Sequence, residues 1–275
     1  IRIVKRNILG QTNPCYNGPM ARLLHFTDMH LRCHQPGTAD DPMRLSRGMP
    51  AALDRLAGCI KELAPDVLVM SGDILDMPDE VIAGGTPDDR SHDEWMDDAK
   101  SDYRLVWEWF KATAVPFVVI PGNHDHEGAF AQTFGGPPKP RDIAGLRFFC
   151  FWDDWVDNRL PQRTGEQKNL FENAMTNPEH DCPQVHIQHY MIDPPTFAKG
   201  RRYDYQDARK MKRDVERSGR VRATLSGHYH PGSLVKENGV VHSLPPAFCE
   251  APHAFRIYDI DDGGDTIVTD HALNV

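Results

Sequence analysis

The chain has 275 residues, 40% of them hydrophobic and 26% charged, the balance of a globular protein with a sizeable core. Its formal net charge of −9 argues against a default binder of nucleic acid, because phosphate backbones are met by Lys and Arg patches. The charge leaves room for a small phosphorylated substrate, since bound metal ions supply local positive charge.

Short β-type runs alternate with helical patterns along the chain. The runs RLLHF (22–26), DVLVM (66–70), FVVI (117–120), LRFFCF (146–151), VHIQ (185–188) and VRATL (221–225) predict strands. After the first, Leu53, Leu56, Ala57, Ile60 and Leu63 recur at helical spacing behind Pro50. Ser91 and Glu94 form a capping-box pattern ahead of a helix carrying Tyr103, Val106 and Phe110. Leu170, Phe171, Ala174 and Met175 mark a third helix. Tyr205, Ala208, Met211 and Val215 mark a fourth, with Gly219 as its stop. The last third turns strand-rich, with hairpin signals at Asn238-Gly239 and Gly263-Gly264. Two long loops are expected, at 77–92 and 128–145. The fold class that follows is α/β, an α+β-like four-layer sandwich of two mixed sheets packed face to face and flanked by helices.

No apolar run approaches the roughly 18 residues of a membrane span. The N-terminal IRIVKRNILG lacks the long apolar stretch of a signal peptide, so a cytoplasmic location is the expectation. Met20 stands as a candidate start. Residues 1–20 then read as an N-terminal extension or extra strand, and 21–275 as a single domain. The six cysteines are scattered without a CxxC pair and read as reduced, mostly buried thiols.

Five polar clusters follow predicted strands: Asp28 and His30 in HFTDMH, Asp73 and Asp76 in SGDILD, Asn123 and His124 in PGNHDH, His189 in IQHY, and His228 and His230 in SGHYH. Strand ends in α/β sheets line one crevice, so distant segments can converge there. Each cluster alone is weak. Together, carboxylates, an amide and imidazoles at five strand ends point to a metal site. Donors without thiolates suit Mn, Fe or Zn. Seven ligands exceed one tetrahedral ion and suit two ions sharing a bridging carboxylate.

These motifs, in this order, resemble the calcineurin-like metallophosphoesterase superfamily. That family reads D-x-H, G-D-x-x-D, G-N-H-D/E, a lone H and G-H-x-H. Here the blocks are Asp28-Met29-His30, Gly72-Asp73-Ile74-Leu75-Asp76, Gly122-Asn123-His124-Asp125, His189 and Gly227-His228-Tyr229-His230. The resemblance implies that Asp28, His30 and His230 hold one metal. Asn123, His189 and His228 hold a second, and Asp73 bridges both. It implies that His124 is no ligand but faces the scissile phosphate as acid, oriented by Asp76. Of the two histidines in VHIQHY, His189 comes at the end of the strand and is preferred over His186. Asp125 is expected to hold its loop, and His126 and His253 are the unassigned histidines nearest the motifs.

The activity implied is a dinuclear metal-dependent phosphoesterase, in which a metal-activated hydroxide attacks a small phosphodiester or phosphomonoester, the diester being favoured. Two alternatives differ in class. One is an exo- or endonuclease of the same superfamily, since DMHL and GNHD blocks also occur in its repair nucleases. The other is a non-catalytic scaffold of the same fold. The oligomeric state is not legible.

Overall fold

The computed structural model describes residues 6–7, 21–156, 160–261 and 263–273. Its first large sheet contains β1 (Arg6–Asn7), β2 (Ala21–Phe26), β3 (Val67–Ser71), β4 (Phe117–Ile120), β15 (Ala254–Ile260) and β16 (Thr266–Ala272), in the order β1-β16-β15-β2-β3-β4. β2, β3 and β4 run parallel, and β15 and β16 add antiparallel neighbours. The parallel strands are almost entirely apolar and buried, as strands covered on both faces must be. Arg6 and Asn7 pair with Asp270 and Thr269 at the far edge. The rest of the expected N-terminal extension lies outside the described residues.

Helices cross over between these strands. α1 (Met49–Leu63) starts with Pro50 in its first turn and buries Leu53, Leu56 and Ile60 on one face. α3 (His92–Thr113) begins at the Ser91–Glu94 capping box and buries Trp95, Ala99, Tyr103, Val106 and Phe110. Both helices share one core with the first sheet.

The second large sheet joins β5 (Arg141–Ile143), β6 (Leu146–Cys150), β9 (Gln184–Ile187), β12 (Val221–Leu225), β13 (Ser233–Glu237) and β14 (Val240–Leu244), in the order β13-β14-β12-β9-β6-β5. Its side chains divide by the two-residue period of a strand. Phe148, Cys150, Val185, Ile187, Ala223 and Leu225 join the core shared with the first sheet. Phe149 and Phe151 face the other way, into a cluster with Phe171 and Ala174 of α5 (Gly165–Thr176) and Met211 and Val215 of α6 (Ala208–Ser218). Each such fully buried apolar side chain is worth about 1.5–3 kcal/mol. The layers are therefore helix, sheet, sheet, helix. Two small hairpins complete the strands, β7 (Asp154–Val156) with β8 (Leu160–Gln162), and β10 (Phe197–Ala198) with β11 (Arg201–Arg202).

The Asn238-Gly239 turn joins β13 to β14 with positive φ at both residues, 49° and 79°. β15 and β16 pair on either side of the Gly263-Gly264 turn. The expected loop 128–145 is not one loop. Glu127–Phe134 forms a helix, α4, and Arg141–Ile143 forms β5. The helix holds because Phe130 and Phe134 stack one turn apart, 4.8 Å between ring centroids, and both meet Tyr103 edge-on. Within 77–92, Asp79–Ile82 forms the short α2. Cys33, Cys59, Cys150, Cys182 and Cys249 are free thiols, and Cys59, Cys150 and Cys249 are buried. Among the described residues no helix is long and apolar enough to cross a membrane.

Candidate dinuclear metal centre

All five polar clusters lie just past the C-terminal ends of β2, β3, β4, β9 and β12. The chain is held there in strained turns. Asp28, His30, Asp73 and His228 all have positive φ, between 47° and 69°. For non-glycine residues this costs about 1–3 kcal/mol each and persists only where surroundings enforce it. The turns are laced together. Asp28 N donates to Gly72 O (3.1 Å), His30 N to Asp73 O (2.9 Å) and Gly227 N to His189 O (2.8 Å). The motif glycines leave room for the ligands. A Cβ on Gly122 would overlap Asp73 Oδ1, and one on Gly72 would overlap the His189 ring.

Two of the donor groups that these side chains form share no residue. Asp28, His30 and His230 bring ligand atoms within 4.8 Å of one another, as do Asp73, His189 and His228. Between the groups, His30 Nε2 lies 3.4 Å from Asp73 Oδ2, and His189 Nε2 lies 3.4 Å from the same oxygen. Asp73 thus faces both groups. Asn123 Oδ1 sits 3.1 Å from His189 Nε2, beside the second group. His30 Nε2 and His230 Nε2 approach to 3.3 Å within the first.

This set fits a pair of cations. Asp28 and Asp73 are 0% and 1% exposed. Among the described residues no Lys or Arg lies within ion-pair distance of either, and only imidazoles do. A buried carboxylate without a cation is costly by several kcal/mol. Burial pushes the Asp28 carboxyl up, only partly offset by His230 and His189. Burial also acts to raise Asp73, but His189 and His124 more than offset it and hold Asp73 well below the usual carboxylate range. His189 rises to about 9, because Asp73 outweighs the opposing effect of burial. A cation held there would take the place of that proton. Burial lowers His30 to about 3 and lowers His228 as well, which keeps both imidazoles neutral and able to donate a lone pair.

His124 brings a ring nitrogen within 4.8 Å of His30 and Asp73, in a third donor group that overlaps the first two. Its backbone N donates to Asp73 Oδ1 (2.8 Å), and its ring centroid is 4.9 Å from that of His30. Its Nδ1 is directed at the Met77 carbonyl, 3.4 Å away. The expected Asp76–His124 pairing is not formed. Asp76 turns to His30 Nδ1 (3.4 Å), Arg32 (3.0 Å) and Arg44 (2.8 Å). These cations and His30 outweigh burial and hold its carboxyl well below the usual range. The reason is charge: two guanidiniums from the 32–44 loop compete for Asp76, so a carbonyl is left to orient His124. Asp125 accepts from Ile74 N, Leu75 N, Gly122 N and Tyr103 Oη, at 2.8–3.0 Å, and so pins the loop.

The other histidines fall elsewhere. His186 is buried on the opposite side of β9, bonded to Gln184 and packed against Phe149 and Phe151. His126 caps α4, its Nδ1 accepting from Ala129 N (3.2 Å). His253 bonds the Phe248 carbonyl (2.7 Å). The sequence reading missed Glu250, whose Oε1 lies 2.6 Å from His230 Nδ1, and the Ser71 carbonyl, 2.8 Å from His189 Nδ1. Both fix the tautomer that turns Nε2 toward the donor groups. A cleft of about 290 Å³, lined by Arg32, Arg44, Arg201, Asp40, Asp41, Asp76, Asp79 and His124, reaches Asn123 at the edge of the centre. A second cleft, of about 640 Å³, reaches Asn123, His189 and Tyr190.

Known proteins resemble this chain in sequence or in fold. A probable cyclic nucleotide phosphodiesterase of Synechococcus is 23% identical over 218 residues, covering 76% of this chain and 72% of its own. A dimetal phosphatase from Danio rerio superposes with a TM-score of 0.64 at 12% identity, covering 92% of this chain and 96% of its own. GAP50, the anchor in the inner membrane complex of Plasmodium, superposes at 0.51 and 12% identity, covering 93% and 89%. The family profile described as calcineurin-like phosphoesterase matches residues 21–232. With the five strand-end motifs and the fold, that match makes this chain a member of the calcineurin-like phosphoesterase family.

Proposed function

We propose that the chain is a dinuclear metal-dependent phosphodiesterase for a small phosphorylated substrate. Asp28, His30 and His230 hold one ion, Asn123, His189 and His228 the other, and Asp73 both. The ions are divalent or trivalent, drawn from Mn, Fe and Zn. The observation that carries this reading is the pair of buried carboxylates, Asp28 and Asp73, which among the described residues have only imidazoles, and no Lys or Arg, within ion-pair distance.

Bound there, such ions supply Lewis-acid polarisation of phosphoryl oxygen and a lowered pKa for water. The chain's own residues do the rest. His124, its Nδ1 directed to the Met77 carbonyl, presents Nε2 to the leaving oxygen and donates the proton there. Arg201 lines the same cleft, stacked 4.8 Å over Tyr203, and offers a cation to a substrate anion. Asp76 anchors Arg44 and Arg32 at the cleft wall and steadies His30. The named activity of the Synechococcus relative supports the diester preference. We read residues 21–275 as one domain, because β13 to β16, beyond the profile match, hydrogen-bond into both sheets.

The test is hydrolysis of bis-p-nitrophenyl phosphate and p-nitrophenyl phosphate with Mn, Fe, Zn and Mg supplied separately. The proposal expects faster diester turnover with one of the first three. Faster monoester turnover would overturn the diester preference. No turnover with any metal would favour the scaffold, and cleavage of DNA at low salt the nuclease.

A further inference from the structure

We propose that an apolar cavity between the two sheets is a binding site for an amphipathic anion with an acyl or aryl tail. A cavity of about 530 Å³ lies between α3, α4 and strands β4 and β6 of the two sheets. That is the size range of small-molecule sites. Trp107, Phe117, Val119, Phe130, Phe134 and Phe148 line it.

The rim carries the opposite chemistry. Lys111, Lys139 and Arg141 line the same cavity, and among the described residues no Asp or Glu does. All three are exposed. Among the described residues none of the three forms an ion pair, and Lys111 only stacks over Trp107 at 5.8 Å. In a chain of net charge −9, three uncompensated cations around an apolar cavity form a local field of the opposite sign. An apolar tail fits the walls, and a carboxylate or phosphate head fits the rim. A neutral or cationic ligand would leave the rim unmatched.

Trp152 adds a second observation. It lines this cavity and also the cleft that reaches Asn123. Its Nε1 is buried without a hydrogen-bond partner, although the residue is only 9% exposed. That nitrogen is closed off, so Trp152 serves the site through its apolar ring, which borders both the cavity and the cleft.

The probe is dodecanoate, titrated into the metal-loaded full chain and followed by calorimetry and by the fluorescence of its tryptophans, of which Trp107 and Trp152 line the site. Dodecyltrimethylammonium serves as the cationic counterpart, and sedimentation is run in parallel. Dodecanoate is expected to bind in the micromolar range with one site per chain and to change the fluorescence, with the cation binding much more weakly. The exposed double variant Lys139→Glu/Arg141→Glu is expected to keep the fold and the esterase rate and to weaken dodecanoate by about tenfold. Equal binding of anion and cation would overturn the proposal. So would absence of dodecanoate binding, or a dimer that covers the cavity and is dispersed by Arg141→Glu.

Discussion

The carboxylate of Glu250 stands 2.6 Å from Nδ1 of His230 and so decides which nitrogen of that imidazole faces Asp28 and His30. Such outer partners raise ligand basicity and fix ring orientation, and removing them costs about 10–100-fold in metal affinity or activity. Glu250→Ala is therefore expected to lose one metal on dialysis against a weak chelator, while Glu250→Gln keeps more of it. Equal metal retention by both variants and the parent would show that His230 needs no such support.

His124 is read as a proton donor and not as a ligand. His124→Ala is expected to retain the parent's metal content and to lose about 10²–10⁴ in kcat. The loss is expected to be smaller for an ester whose leaving group is already acidic, because such a group needs no proton. Metal analysis beside kcat on two esters of different leaving-group pKa checks both parts. Loss of metal in this variant would move His124 into the ligand set.

Asp76 holds Arg32 and Arg44 through a carboxylate whose side chain is 3% exposed. Removing one partner of a buried ion network costs about 3–5 kcal/mol. Asp76→Ala is expected to be destabilised by that order in urea unfolding, with the substrate KM raised because Arg44 loses its anchor. A variant of parental stability that lost only kcat would restore the role of orienting His124.

His186 gives a pH signature away from the metal site. Burial, and secondarily Arg163, lower its imidazole to about 3. The folded state keeps it neutral, whereas the unfolded chain takes up a proton as pH falls through about 6.5. Its contribution to stability is thus complete above pH 6.5 and is lost as pH falls from there toward 3, amounting to about 2 kcal/mol by pH 5. His186→Gln is expected to flatten the fall in unfolding free energy over that window. Parallel curves for parent and variant would contradict this.

Much of the fold was legible because the central strands β2, β3, β4, β6, β9 and β12 announced themselves as apolar runs and the main helices as 3.6-residue patterns, whereas short strands such as β5, β10 and β11 carry no such run. α4 escaped because it opens with His126 as cap and Gly128 in its first turn, neither a usual helix signal, and its support comes from Tyr103, more than twenty residues earlier. The motif residues were legible as a set because chemistry-bearing side chains followed five separate strands. The groups that Asp76 meets were not legible, because Arg32 and Arg44 arrive from an irregular loop that no local pattern places. Glu250 was invisible for the same reason, since only the turn after β14 brings it to His230.

The central claim is that two metal ions share Asp73. Metal content of the purified parent and of Asp73→Ala, after loading with Mn, Fe or Zn and removal of excess, tests it most directly. The account predicts two equivalents per chain in the parent, and loss of both with loss of diester hydrolysis in the variant. One equivalent or none in the loaded parent, or two retained by Asp73→Ala, would contradict it.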